Sequence, residues 1–186
     1  ADTTLIQSLS RKTLVAAVSR ARIPGCKYDL MLVLEGAQGT GKSTALRTLA
    51  GDDLFRDADP GKFDKDTIMA YSGGLVIEVQ EVTAINRTDP NVVKAFLSRH
   101  EDHFRKPYGR SITTRPRDFI LIGTTNDASY LRDATGNRRF APVLTSQIDI
   151  ASLERDRLQI WAEAVHIEKS GEALELDRSL WEEAAR

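Results

Sequence analysis

Apolar residues along this chain follow two rhythms. From residue 3 to 22, Leu5, Leu9, Leu14 and Val18 recur near helical spacing among polar neighbours, which predicts a helix that Pro24-Gly25 stops. Met31 to Leu34 and Phe119 to Ile122 are instead short unbroken apolar runs, and Leu75-Val-Ile77 is a third that runs into Glu78; each predicts a buried strand. The helical rhythm returns at Thr44 to Ala50, which ends at Gly51, and at Phe63 to Tyr71, which Gly73-Gly74 breaks. Asp89-Pro90 reads as an N-cap and first helical position, and Val92, Val93, Phe96, Leu97 and Phe104 carry that helix to about residue 104. A last long helix over 151–168 turns Leu153, Leu158, Trp161 and Val165 inward. Residues 52–61 read as an acidic loop, and Tyr108-Gly109 as the turn of a hairpin over 107–118. Strands alternating with helices predict an α/β fold with a mainly parallel central sheet and helices on both faces. The expected layout is one domain over 1–186, with a core at about 28–145 and a helical C-terminal edge at 150–186.

Composition narrows the function classes. Hydrophobic content of 41% and charged content of 28% are those of a globular protein. The net charge of −1 gives no whole-molecule attraction to nucleic acid, so such binding would need a local patch. Cys26 is the only cysteine, which excludes an intrachain disulfide and a cysteine metal cluster. No apolar run approaches the roughly 18–20 residues of a membrane span, so no membrane association is expected. Ala-Asp-Thr-Thr is not a signal peptide, and a chain that starts without Met reads as processed or excised from something longer. A cytoplasmic location is the expectation.

The candidate chemistry centres on Gly36-Ala37-Gln38-Gly39-Thr40-Gly41-Lys42-Ser43-Thr44, a P-loop with a strand before it and a helix after it. Its glycines let backbone N–H groups wrap a polyphosphate, and the following helix N-terminus adds positive potential. Lys42 supplies a mobile cation for the outer phosphates, and the Ser43 hydroxyl is placed for Mg²⁺, so ATP with Mg²⁺ is the expected ligand. About 35 residues later the second strand ends in Glu78 and Glu81, one expected in the Mg²⁺ shell and one polarising the attacking water. Residue type does not decide which does which. The third strand ends in Thr124-Thr125-Asn126, able to reach a γ-phosphate or orient a water. Arg138 and Arg139 follow a flexible Gly-Asn and are candidates to neutralise a transferring phosphoryl group, within the chain or from a neighbouring subunit. Arg99, Arg105, Lys106, Arg110, Arg115 and Arg117 outnumber Glu101 and Asp102, a local basic segment suited either to a phosphate backbone or to salt bridges with a neighbouring subunit. His100 and His103 lack a cysteine or third histidine that would make them zinc ligands.

These motifs stand in a longer series. Pro24-Gly-Cys-Lys-Tyr-Asp29, the P-loop, Glu78-x-x-Glu81, Phe96-Leu-Ser-Arg99, Arg105-Lys-Pro-Tyr-Gly-Arg110, Gly123-Thr-Thr-Asn126, Asp133-x-Thr-Gly-Asn-Arg-Arg-Phe140 and Trp161-Ala-Glu-Ala164 follow one another in order. The series resembles the virulence-associated E family of phages and mobile elements, which looks like the superfamily 3 helicases of the AAA+ class. The resemblance implies an ATPase acting on DNA, expected to be single-stranded, during mobile-element replication. It also implies a homo-oligomer such as a hexameric ring, and a primase as partner or fused domain. It makes residues 36–44 the Walker A motif, Glu78 and Glu81 the Walker B acids, Asn126 a sensor, and Arg138 or Arg139 an arginine finger acting between subunits. Arg105, Lys106, Arg110, Arg115 and Arg117 become strand-gripping residues. The Glu-x-x-Glu spacing departs from the adjacent acidic pair usual in the superfamily. Two other readings stand beside this one: a nucleotide-regulated interaction module that never translocates, and a small-molecule P-loop kinase using the Gly-Asn-Arg-Arg segment in its lid. A GTPase is disfavoured, because Thr125-Asn126-Asp127 lacks the lysine and spacing of a guanine-reading motif.

Overall fold

Met31–Glu35 (β1) is apolar on both faces, which suits a strand covered from both sides. The computed structural model describes residues 3–58, 64–83, 90–105, 111–127 and 139–176. In it β1 pairs with Ile120–Thr125 (β6) on one side and Phe140–Leu144 (β7) on the other. Val76–Val79 (β3) lies beside β6, and Phe55–Ala58 (β2) beside β3. The sheet order is β2-β3-β6-β1-β7, and every pairing is parallel.

Alternation along the strands makes two cores. Met31, Val33, Ile77 and Leu121 pack with Ile68 of Lys65–Ala70 (α3) and with Val93, Phe96 and Leu97 of Pro90–Leu97 (α4). Leu32, Val76, Ile120 and Ile122 pack with Leu5 and Leu9 of Thr3–Arg22 (α1) and with Leu46 and Ala50 of Lys42–Ala50 (α2). Trp161 of Ile150–Lys169 (α5) closes that second side. Helices therefore cover both faces, as a parallel sheet requires. Each fully buried Leu, Val or Phe contributes about 1.5–3 kcal/mol of transfer free energy.

Helix α5 holds α2 at its far end. Arg157 donates to the carbonyls of Leu49 and Ala50 at 3.1 and 3.0 Å, and Trp161 Nε1 donates to Leu49 at 2.8 Å. These are the last carbonyls of α2, which have no partner within the helix. The basic residues of α1 are also used internally. Arg11 and Lys12 meet the 172–173 segment, Arg22 pairs with Glu168, and Arg20 is buried with its terminal nitrogens on the carbonyls of Phe119 and Tyr28.

Three elements depart from the sequence reading. β2 lies where an acidic loop is expected, because Phe55 and Ala58 are buried while Arg56 and Asp57 reach out. β7 reads Phe140-Ala-Pro-Val-Leu144, whose central proline argues against a strand and is tolerated because β7 lies at the sheet edge. Helix α4 stops at Leu97 rather than near 104, because the Arg117 guanidinium takes the Phe96 carbonyl at 2.8 Å. Glu101–Phe104 (β4) then pairs antiparallel with Thr113–Pro116 (β5), so the hairpin begins earlier than 107. His100 and His103 leave the helix with it. His100 meets the Gly25 carbonyl and His103 meets Thr114, and no metal-ligating cluster occurs among the described residues. No helix of the described residues is long and apolar enough to cross a membrane.

Candidate functional site

The P-loop joins β1 to α2 at the C-terminal edge of the sheet, where parallel strands leave a crevice. Its first glycine is fixed by space: a Cβ on Gly36 would lie 2.5 Å from the Thr145 carbonyl oxygen. Thr145 follows β7 and donates both its N–H and its hydroxyl to the Glu35 carbonyl. Gly41 is fixed by conformation, with φ of 89° at the start of α2. It makes no side-chain cap, so the first N–H groups of α2 are left for an anion. The linker before α5 braces the loop as Ile148 N–H donates to the Thr40 carbonyl at 3.1 Å. Asp149 caps α5 through Ser152, and these hydrogen bonds lower its carboxyl pKa.

Lys42 is buried and folded back on the loop. Its Nζ donates to the carbonyls of Gly36 and Ala37 at 2.7 and 2.9 Å and to Asn126 Oδ1 at 3.1 Å. Those carbonyls belong to the loop itself, so the ammonium is held within the turn that precedes α2. Thr40 closes the turn by donating to Ala37. Gln38, Gly39, Gly41, Lys42, Ser43 and Thr44 line one wall of a cleft of about 340 Å³, and Gln80, Glu81, Thr124, Thr125 and Asn126 line the other.

The two glutamates occupy different environments. Glu78 is fully buried, on the strand face turned towards α2, and its Oε1 accepts from Ser43 Oγ at 2.6 Å and from Thr124 Oγ1 at 2.7 Å. Its Oε2 is buried and has no hydrogen-bond partner. Glu81 is exposed in the cleft, with Asn126 Nδ2 at 3.4 Å and a backbone φ of 48°, unusual for a non-glycine residue. Asn126 thus reaches Lys42 with its oxygen and Glu81 with its nitrogen. Thr124, expected with Thr125 and Asn126 near a phosphate or water, instead meets Glu78. Its place on the strand face that carries buried Ile122, the register partner of Glu78, is the signal for that contact.

The donor set fits a hard divalent cation: a hydroxyl at the first helical turn beside a buried carboxylate with one orphaned oxygen. Ser43 and Glu78 are the residues that would hold Mg²⁺.

The arginines fall elsewhere. The Arg139 carbonyl accepts from Met31 N–H, so Arg139 stands at the opposite end of β1 from Gly36, about 16 Å of strand away. It donates to Ser98 and borders a second cavity of about 310 Å³ with Lys27, Asp29 and Glu175. It cannot serve the P-loop of its own chain. Arg138 lies outside the described residues, as do Lys106 and Arg110. Arg105 is exposed at the end of β4. Arg115 is tied to Asp118 and Ser72. The expectation that Arg117 grips a strand is corrected by its burial. It is 2% exposed, donates to both oxygens of Asp102 at 3.0 and 2.6 Å, and lies over the rings of Phe96 and Phe119.

The virulence-associated protein E-like domain is the family description that matches, over residues 1–186. No curated protein matches the chain. Among solved structures, the apo A form of the NrS-1 C-terminal region superposes with a TM-score of 0.55 at 16% identity, covering 93% of this chain and 42% of that one. SCCmec type IV Cch, titled an active helicase, matches with a TM-score of 0.46 at 14% identity, over 85% of this chain and 31% of that one. The chain therefore spans less than half the length of these structures, and the NrS-1 likeness is one of fold.

Proposed function

The chain belongs to the virulence-associated protein E-like family, and on that premise we propose that it is the Mg²⁺-dependent ATPase module of a helicase-like motor acting on DNA in phage or mobile-element replication. The observation that carries this reading is the convergence of Lys42, Ser43, Glu78, Glu81 and Asn126, from the P-loop and from the ends of β3 and β6, on one site. Such a constellation suits phosphoryl transfer, where catalysis is positioning and charge stabilisation.

Each residue takes a role its surroundings favour. The P-loop N–H groups and Lys42 bind the phosphates, and Lys42 exchanges its carbonyl partners for phosphate oxygens. Ser43 would hold Mg²⁺ directly and Glu78 through the metal's water shell, and the ion would supply charge neutralisation at the outer phosphates. Glu81, exposed on the cleft, is the base that takes the proton of the attacking water, and Asn126 orients it. Arg139, or Arg138, completes the site of a neighbouring subunit, since Arg139 cannot reach its own. The assembly is a homo-oligomer, with a hexameric ring as the working form and a primase as the expected partner. DNA contact falls to the hairpin around Arg105, Lys106 and Arg110, with Arg115 secondary.

A second reading, a nucleotide-regulated oligomeric module that does not translocate, is favoured by one observation: Arg117 and Arg115 are spent inside the chain, which leaves the hairpin less basic than its sequence. ATP hydrolysis with and without single-stranded DNA, across a salt series, separates the two. Stimulation by DNA that fades as salt rises supports the motor. Hydrolysis indifferent to DNA supports the module, and absence of Mg²⁺-dependent hydrolysis at any protein concentration overturns the ATPase assignment.

A further inference from the structure

We propose that Thr124 is a positioning residue that divides the work of the Glu78 carboxylate, fixing one oxygen so that the other serves the metal's water shell. The inference rests on the ATPase reading above. Glu78 stands opposite Ile122 in the β3–β6 register, and Thr124 is the next residue of β6 on the same strand face. Its Oγ1 lies 2.7 Å from Glu78 Oε1, and Ser43 Oγ lies 2.6 Å from that same oxygen. A carboxylate oxygen has two lone-pair sites, so Oε1 is fully occupied by protein hydroxyls. Oε2 is buried without a partner. A buried carboxylate oxygen left bare is costly, and a ligand-borne donor removes that cost.

The two hydroxyls are not equivalent. Ser43 sits on the P-loop helix, and its oxygen, which donates to Glu78, would also be the one offered to a cation. Thr124 belongs to a central strand, is 5% exposed, and carries a β-branched side chain with restricted χ1. Valine would match its shape and lose only the hydroxyl. Thr124 therefore holds Glu78 in place whether or not Ser43 has turned to the metal. Groups that orient ligands from behind affect metal affinity by about 10–100-fold when removed.

The test is Mn²⁺ binding followed by electron paramagnetic resonance, with a non-hydrolysable ATP analogue present, for wild type, Thr124→Val and Thr124→Ser. ADP affinity in EDTA is measured alongside. Thr124→Val should weaken Mn²⁺ binding about tenfold, while Thr124→Ser should stay within about twofold of wild type. ADP affinity without metal should be unchanged in both. Thr124→Ala supplies the same comparison should valine disturb the fold. Equal Mn²⁺ affinity in Thr124→Val and wild type would overturn the proposal. So would a matching loss of metal-free ADP affinity, which marks a merely structural role. A wild type that binds Mn²⁺ no better with the nucleotide than without it would instead sink the ATPase reading, and this inference with it.

Discussion

The two ends of the central sheet both bury charge, and they do so to opposite effect. At the N-terminal end, Arg117 and Asp102 are each 2% exposed and complete one another. Both carboxylate oxygens are bonded, and the guanidinium also takes the Phe96 carbonyl and lies over two aromatic rings. Neighbouring Arg20 places both terminal nitrogens on carbonyls and leaves only its Nε bare, and burial, with Arg117 next, lowers its pKa. At the C-terminal end, Glu78 pairs with no Lys or Arg among the described residues. Lys42 is occupied with backbone carbonyls and Asn126, and one glutamate oxygen is orphaned. A completed buried pair holds a fold together. A buried carboxylate beside an uncapped helix start is a site that a ligand completes.

The comparison breaks most sharply at Arg117. Arg117→Ala leaves Asp102 buried without its partner and should cost about 3–5 kcal/mol in urea denaturation. A variant of wild-type stability that had lost DNA affinity would reverse the assignment of that end. At the other end, Lys42→Ala should lower ATP turnover about 10²–10³-fold with little change in the urea midpoint. Retained steady-state hydrolysis would remove Lys42 from the mechanism. Glu81→Gln should stop turnover while keeping Mg²⁺–ATP binding, and Glu78→Gln should weaken the Mg²⁺ dependence itself. The two glutamates are told apart by a Mg²⁺ titration of nucleotide binding in each variant, and identical titrations would contradict the split. The smallest effect is expected at the α5 start. Asp149→Ala should lower the melting temperature slightly, and Asp149→Asn should not. Because the folded-state pKa of Asp149 is depressed, the difference between wild type and Asp149→Ala should be present at neutral pH. It should fade as pH falls below the ordinary carboxylate range.

The two ends also differ in how far residue order reveals them. The P-loop is legible because its chemistry is backbone chemistry, and glycine spacing writes backbone shape directly into the sequence. β1, β3 and β6 are legible because both faces are buried and each opens on an apolar run, which in β3 ends at Glu78. β2 and β7 are edge strands, and the run that marks a strand is interrupted by Arg56 and Asp57 in one and by Pro142 in the other. Arg117 is a different failure. A basic residue in a basic segment looks exposed until a carboxylate from the neighbouring strand, Asp102, is brought against it. Thr124 is legible as a polar strand end, but its partner is not, since Glu78 meets it only across the sheet.

The most direct measurement is calorimetric titration of wild-type protein with a non-hydrolysable ATP analogue, in MgCl₂ and then in EDTA. A Mg²⁺-held nucleotide predicts binding at least about tenfold tighter with Mg²⁺, the scale by which disturbing a metal site changes affinity. No binding, or binding indifferent to Mg²⁺, would contradict the assignment of the C-terminal edge of the sheet as the active site.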